Sequence, residues 1–200
     1  MNLFSTLLTS KARLRRRRTS TRCWKQRGIA AIEFALTLPL WITILLGGTD
    51  CAFWVIVNEK TDRIAYSVTD IVSQYQTVSI ANLNDILLAA SQLMQPFSFG
   101  NKGIVIISSV YKPNGQSPTV KWQYAGGGSL AQGSAIGSTG GNASLPNGLT
   151  LNDNDNVIIS EVYYKFTPMF FNSTHLFPTN NIYRVAMYKP RLSPLITPPT

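Results

Sequence analysis

The chemistry in this sequence begins with a carboxylate in an apolar setting. Glu33 lies within RGIAAIEFALTLPLWITILLGGTDCAFWVIV, residues 27–57, where only Glu33 and Asp50 are charged once Arg27 is passed. A charged side chain at the centre of a bilayer costs about 2.5–3.5 kcal/mol on insertion scales, so an acid kept there needs a functional reason. Other chemistry is sparse. The single histidine, His175, excludes a His-rich metal site, and its Pro/Asn-containing surroundings read as an ordinary loop. Cys23 and Cys51 set no disulfide framework, and Cys51 reads as a small apolar helix residue. Asp153 and Asp155 lack the glycine and terminal glutamate of a calcium loop and read as a turn. The segment GSAIGSTGG, residues 133–141, has no lysine where a phosphate loop needs one. No nucleophile, base and acid are aligned, so the expectation is a non-enzyme with no metal and no cofactor.

The elements that position Glu33 follow from charge and hydropathy. The net charge is +9, yet nine basic residues (Lys11, Arg13, Arg15, Arg16, Arg17, Arg18, Arg22, Lys25 and Arg27) precede Gly28 with no acid among them. The nine basic residues that remain are balanced by nine acidic ones. The basicity therefore belongs to a leader, not to a folded surface, which argues against a nucleic-acid partner. Lysine and arginine beside an apolar run hold that side in the cytoplasm, and membrane lipid is the expected surrounding of the run itself. Residues 29–57 are long enough to cross a hydrocarbon core, for which about 20 helical residues suffice. Pro39 is tolerated in a membrane helix. A cleaved secretory signal is disfavoured, because no A-x-A pattern occurs between Gly47 and Val57. A lipoprotein reading of Cys51 is disfavoured by Asp50 before it.

Beyond the apolar run the period changes twice. Ile64, Val68, Ile71 or Val72, and Tyr75 recur at helical spacing, as do Leu83, Ile86, Leu87, Ala90, Leu93 and Met94. Ser79 or Asn82 can cap the second helix, and Pro96 ends it. Residues 103–111 are β-branched, Pro113-Asn114-Gly115 is a turn, and residues 119–124 alternate, which predicts a hairpin. Eight glycines between 125 and 148 predict a flexible loop. Asn156 to Phe166 and Ile182 to Tyr188 read as two further strands, and the Pro-rich tail as loose. The expected fold class is α+β: a long N-terminal transmembrane helix running into a second helix and an antiparallel sheet of about four strands. The expected divisions are a leader 1–28, a span 29–57, a domain 58–190 and a tail 191–200.

At Gly28-Ile-Ala-Ala-Ile-Glu33-Phe34 the chain resembles a type IV prepilin processing site. RGIAAIEFALTLPL is more closely similar to the N-terminal signature of the TadE/TadG-like family of tight-adherence (Flp) pilus assembly proteins. Residues 104–122 and 157–168 resemble sheet segments of that family. The resemblance implies a minor pseudopilin, TadE-like rather than TadG-like, anchored in the bacterial inner membrane with its C-terminal domain periplasmic. It implies cleavage by a prepilin peptidase between Gly28 and Ile29. Glu33 then becomes the fifth residue of the mature chain, set to meet the new ammonium of a neighbouring subunit, with Phe34 orienting the motif or packing. The implied partners are the peptidase, other pilus subunits and inner-membrane assembly proteins. An alternative reading is an unprocessed single-pass protein whose sheet binds a protein or carbohydrate through Trp122, Tyr124, Tyr163 and Tyr164, although such aromatics also fill sheet cores.

Overall fold

The computed structural model describes residues 22–170 and 181–200, with side chains from Gly28 onward except Asn147. The basic leader up to residue 21, and His175, lie outside the described residues. The described residues fall into two units, divided between Ile44 and Leu45.

The described part of the first unit is helical and belongs to α1, Arg22–Ser73, which continues into the second unit. Its apolar side chains are bare: Ile32, Phe34, Leu36, Leu40 and Trp41 are all more than half exposed. The helix from Gly28 has a mean hydropathy of 2.1 over its most apolar 18 residues. Pro39 donates no backbone hydrogen bond, and the threonines turn their hydroxyls inward. Thr37 donates to the carbonyl of Phe34 at 3.2 Å and Thr43 to that of Pro39 at 2.8 Å. Hydroxyls satisfied within their own helix need no water, which suits a helix surrounded by lipid.

The second unit is an α+β domain. Its part of α1 is followed by α2, Ile80–Gln92, whose N-cap is Ser79: the Ser79 hydroxyl accepts the Asn82 N–H at 3.2 Å. Four strands follow: β1, Gly103–Tyr111; β2, Thr119–Gly126; β3, Asn156–Lys165; β4, Asn181–Tyr188. They form one antiparallel sheet in the order β2-β1-β3-β4. The helical stripes are the ones the periodicity predicts, with Val72 rather than Ile71 completing the first and Leu93 left partly exposed on the second.

The sheet is covered on both faces. Val57, Ile64, Val68 and Val72 of α1 and Leu83 and Leu87 of α2 pack on Val105, Ile107, Trp122, Ile158 and Val162. On the other face Ile136, Leu151 and Leu145 from the long β2–β3 connection cover Val110, Val120, Val157 and Ile159. This explains the composition of the strands. Central β1 and β3 are nearly continuous in burial because both their faces are covered, whereas edge strands β2 and β4 alternate.

Two expectations are corrected here. The glycine-rich stretch 125–148 is not a free loop. Ile136 is buried, the Gln123 amide donates to the Gly137 carbonyl at 2.8 Å, and the Val120 and Ala143 N–H groups bond the carbonyls of Gly141 and Pro118. Nor is the Pro-rich tail loose. Leu195 is buried, and its carbonyl accepts Trp122 Nε1–H at 2.8 Å and Ser109 Oγ–H at 2.5 Å. The Ile80 N–H bonds the Thr200 carbonyl at 3.0 Å, and Arg191 pairs with Asp70.

Candidate functional site

Gly28, Ile29, Glu33 and Phe34 all lie on α1, within the first unit. Nothing within 4 Å would meet a Cβ built on Gly28. A glycine inside a helix costs about 0.5–1 kcal/mol relative to alanine. Among the described residues no packing requires it. Ile29 and Phe34 are 57% and 64% exposed, and Glu33 is exposed beside them. Among the described residues none pairs with Glu33. The helical spacing sets Ile29 and Glu33 four residues apart, one turn from each other on the same side.

The second acid of the apolar stretch has a different setting. Asp50 is fully buried within the domain, and its carboxylate accepts the N–H groups of Met169 at 2.9 Å and Phe170 at 3.1 Å. The turns that follow are also bound into the domain: Phe53 packs edge-on against Phe97, their ring centres 5.7 Å apart, and Val57 is buried.

A third carboxylate escaped the sequence reading. Glu161 of β3 is fully buried on the face away from the helices. It accepts the Ser134 hydroxyl, the Ala135 N–H at 2.8 Å, and the hydroxyls of Tyr163 at 3.0 Å and Tyr183 at 3.1 Å. Burial, and then the charge of Glu161, push the Tyr163 phenol up to about 12 and the Tyr183 phenol higher still. The cluster joins β3, β4 and the glycine-rich cover. Alternation along β3 sets Glu161 on the face opposite Ile158 and Val162, so nothing local in the sequence marks it as buried, and its donors lie up to 27 residues away in the chain.

The remaining candidates are structural. Asp153 pairs with Lys112 at 2.9 Å and Asp155 with Lys189 at 2.7 Å around Asn154, whose φ of 64° makes the tight turn. The hydrogen bonds from Lys112 and Lys189 hold both carboxyls below the usual range. Among the described residues no group of three or more His, Cys, Asp or Glu could hold a metal. Trp122, Tyr163 and Tyr164 are buried, and Tyr124 is half-buried with its hydroxyl on Asn84. These aromatics therefore make core and cover, not an open binding platform.

A long apolar helix running into a compact α+β domain, with a lone exposed acid near the start of its apolar run, defines a class of helix-anchored protein. Residues 28–68 match the family model described as TadE-like protein, which supports membership of the TadE-like family. The match starts at Gly28 and ends within α1, so the sheet lies beyond it. No curated protein and no solved structure matches the chain. The TadE-like segment points to a function related to the Tad pilus, in company with other pilus components, and the apolar helix points to membrane anchoring.

Proposed function

We propose that this chain is a minor pseudopilin of a tight-adherence pilus or a related secretion machine, acting by assembly and not by catalysis. The leader 1–28 stays at the cytoplasmic face of the bacterial inner membrane, α1 from Ile29 crosses it, and the α+β domain is periplasmic. A prepilin peptidase cuts between Gly28 and Ile29. The observation that carries this reading is the TadE-like match, which begins at Gly28, the residue whose missing side chain the fold does not need. A glycine lets a scissile backbone enter a narrow site. Cleavage creates an ammonium on Ile29, and in an assembled fibre that charge from one subunit meets Glu33 of the next. A paired charge in a low-dielectric setting is tolerable where a lone one is not.

The test is the N-terminal residue of the mature protein when the chain is expressed with a prepilin peptidase. Ile29 is expected. Retention of Met1 overturns the processing step and leaves an unprocessed single-pass protein. Glu33→Ala is expected to insert and to be cut normally but to assemble poorly; unchanged assembly would count against the charge-pairing role.

A further inference from the structure

Among its described residues, the connection after β3 meets α1 at Asp50. Asp50, fully buried, holds the backbone of Met169 and Phe170 through their N–H groups at 2.9 and 3.1 Å. Those bonds fix the backbone and leave the side chains outward, with Met169 70% and Phe170 46% exposed. Trp54, one helical turn past Asp50, is also partly exposed, beside Phe53 and its partner Phe97. Single exposed apolar residues are ordinary, but adjacent large ones fixed in place mark a contact surface.

The sequence of α1 supplies the occupant. About 20 helical residues, at about 1.5 Å each, cross a hydrocarbon core. An anchor that starts at Ile29 therefore runs out of hydrocarbon close to Thr49, and Asp50 opens the headgroup zone. The Thr49 hydroxyl is bonded at 2.9 Å to the Leu45 carbonyl of its own helix. Aromatic side chains concentrate at this depth, where one end of the residue is dry and the other wet. We propose that Met169 and Phe170, with Trp54, form a lipid-facing lip that dips into the bilayer interface where the anchor leaves it. Asp50 is the positioning residue that clamps the lip to the helix. The proposal rests on the membrane-anchor reading above.

The test uses the full chain carrying Cys23→Ser and Cys51→Ser, with single cysteines placed by Met169→Cys, Phe170→Cys, Leu40→Cys or Asn114→Cys. Each is labelled with an environment-sensitive fluorophore and reconstituted in phosphatidylethanolamine and phosphatidylglycerol vesicles. Lipids bearing a nitroxide near the headgroup are expected to quench labels at 169 and 170 and to leave the label at 114 bright, while deep nitroxides quench the label at 40. Quenching at 40 with none at 169 and 170 overturns the lip and keeps the anchor. No quenching at any position overturns both. Labels at 169 and 170 shielded from aqueous iodide but untouched by nitroxide lipids would assign the patch to a protein surface, such as a second copy, and overturn the lipid assignment.

Discussion

Three carboxylates in this chain stand in an apolar run or a buried site, and each is treated differently. Glu33 has no partner among the described residues. Asp50 accepts backbone N–H groups. Glu161 sits among hydroxyls. The Glu161 cluster is the one whose energetics can be read directly. Glu161→Ala strands the Ser134, Tyr163 and Tyr183 hydroxyls and leaves the Ala135 N–H only the Tyr163 hydroxyl at 3.2 Å, at about 1–3 kcal/mol for each buried donor that finds no substitute. The urea midpoint of the full chain in detergent should fall sharply, and Glu161→Gln, which keeps one carbonyl acceptor, should fall less. A pH effect belongs to the same cluster. Burial and the neighbouring Glu161 charge raise the folded-state phenol of Tyr163 from its ordinary 10.0 to about 12, so the unfolded chain loses its proton first. Its contribution is present below pH 10 and is lost as pH rises through about 12. Thermal unfolding should show a steep alkaline loss in that window, shallower in Tyr163→Phe; an identical alkaline limb in the variant would assign the loss to other groups.

Among the elements, those written in local periodicity were legible and those held by distant partners were not. The stripe Ile64, Val68, Val72 and the alternation Ile158, Val162, Tyr164 each declare their face within a dozen residues, and both faces are the ones buried. The β2–β3 connection declares nothing of the kind, because glycine and serine carry no pattern. Its order comes from a few scattered apolar residues, Ile136 foremost with Leu145 and Leu151, seated against β1, β2 and β3. Glu161 was invisible for the same reason: its four donors come from three segments. The Glu33 motif is a signal of the opposite kind, local in the chain: an acid at fixed spacing from a glycine in an apolar run. The cover has a direct test. Ile136→Ala removes a fully buried side chain, a change that costs about 2–5 kcal/mol in a core that cannot collapse. Amide exchange should rise across residues 127–145 well before it rises in α2. Uniform loss of protection in both would show that cover and helices unfold as one unit.

At the scale of the whole domain, segments far apart in sequence close the two faces of one sheet. The helices close one face, and the tail completes that side by running past the ends of both helices. Leu195 fills the core against the sheet, and its carbonyl serves two buried donors, Trp122 Nε1–H and Ser109 Oγ–H. Arg191 N–H caps the carbonyl of Ser73 at the end of α1 at 2.9 Å, and the Thr200 carbonyl takes the Ile80 N–H at the start of α2. The tail therefore acts as a strap across the α1–α2 turn, and its prolines fit this task, since an extended strap with few backbone donors has few to satisfy. A chain ending at Lys189 should keep its anchor, because the tail contacts fall on Asp70 and Ser73 at the far end of α1 and none on its apolar run, yet lose domain stability. Two stranded buried donors cost about 1–3 kcal/mol each, and the emptied Leu195 site costs about 2–5 kcal/mol more. The truncated chain should fractionate with membranes like the full chain while its domain melts lower and residues 73–80 and the Trp122 indole exchange freely. Leu195→Ala alone should reproduce most of the loss in packing with the two carbonyl bonds kept, which separates the filled site from the strap. A truncated chain that melts with the full-length protein would mean that the helices and sheet hold without the strap.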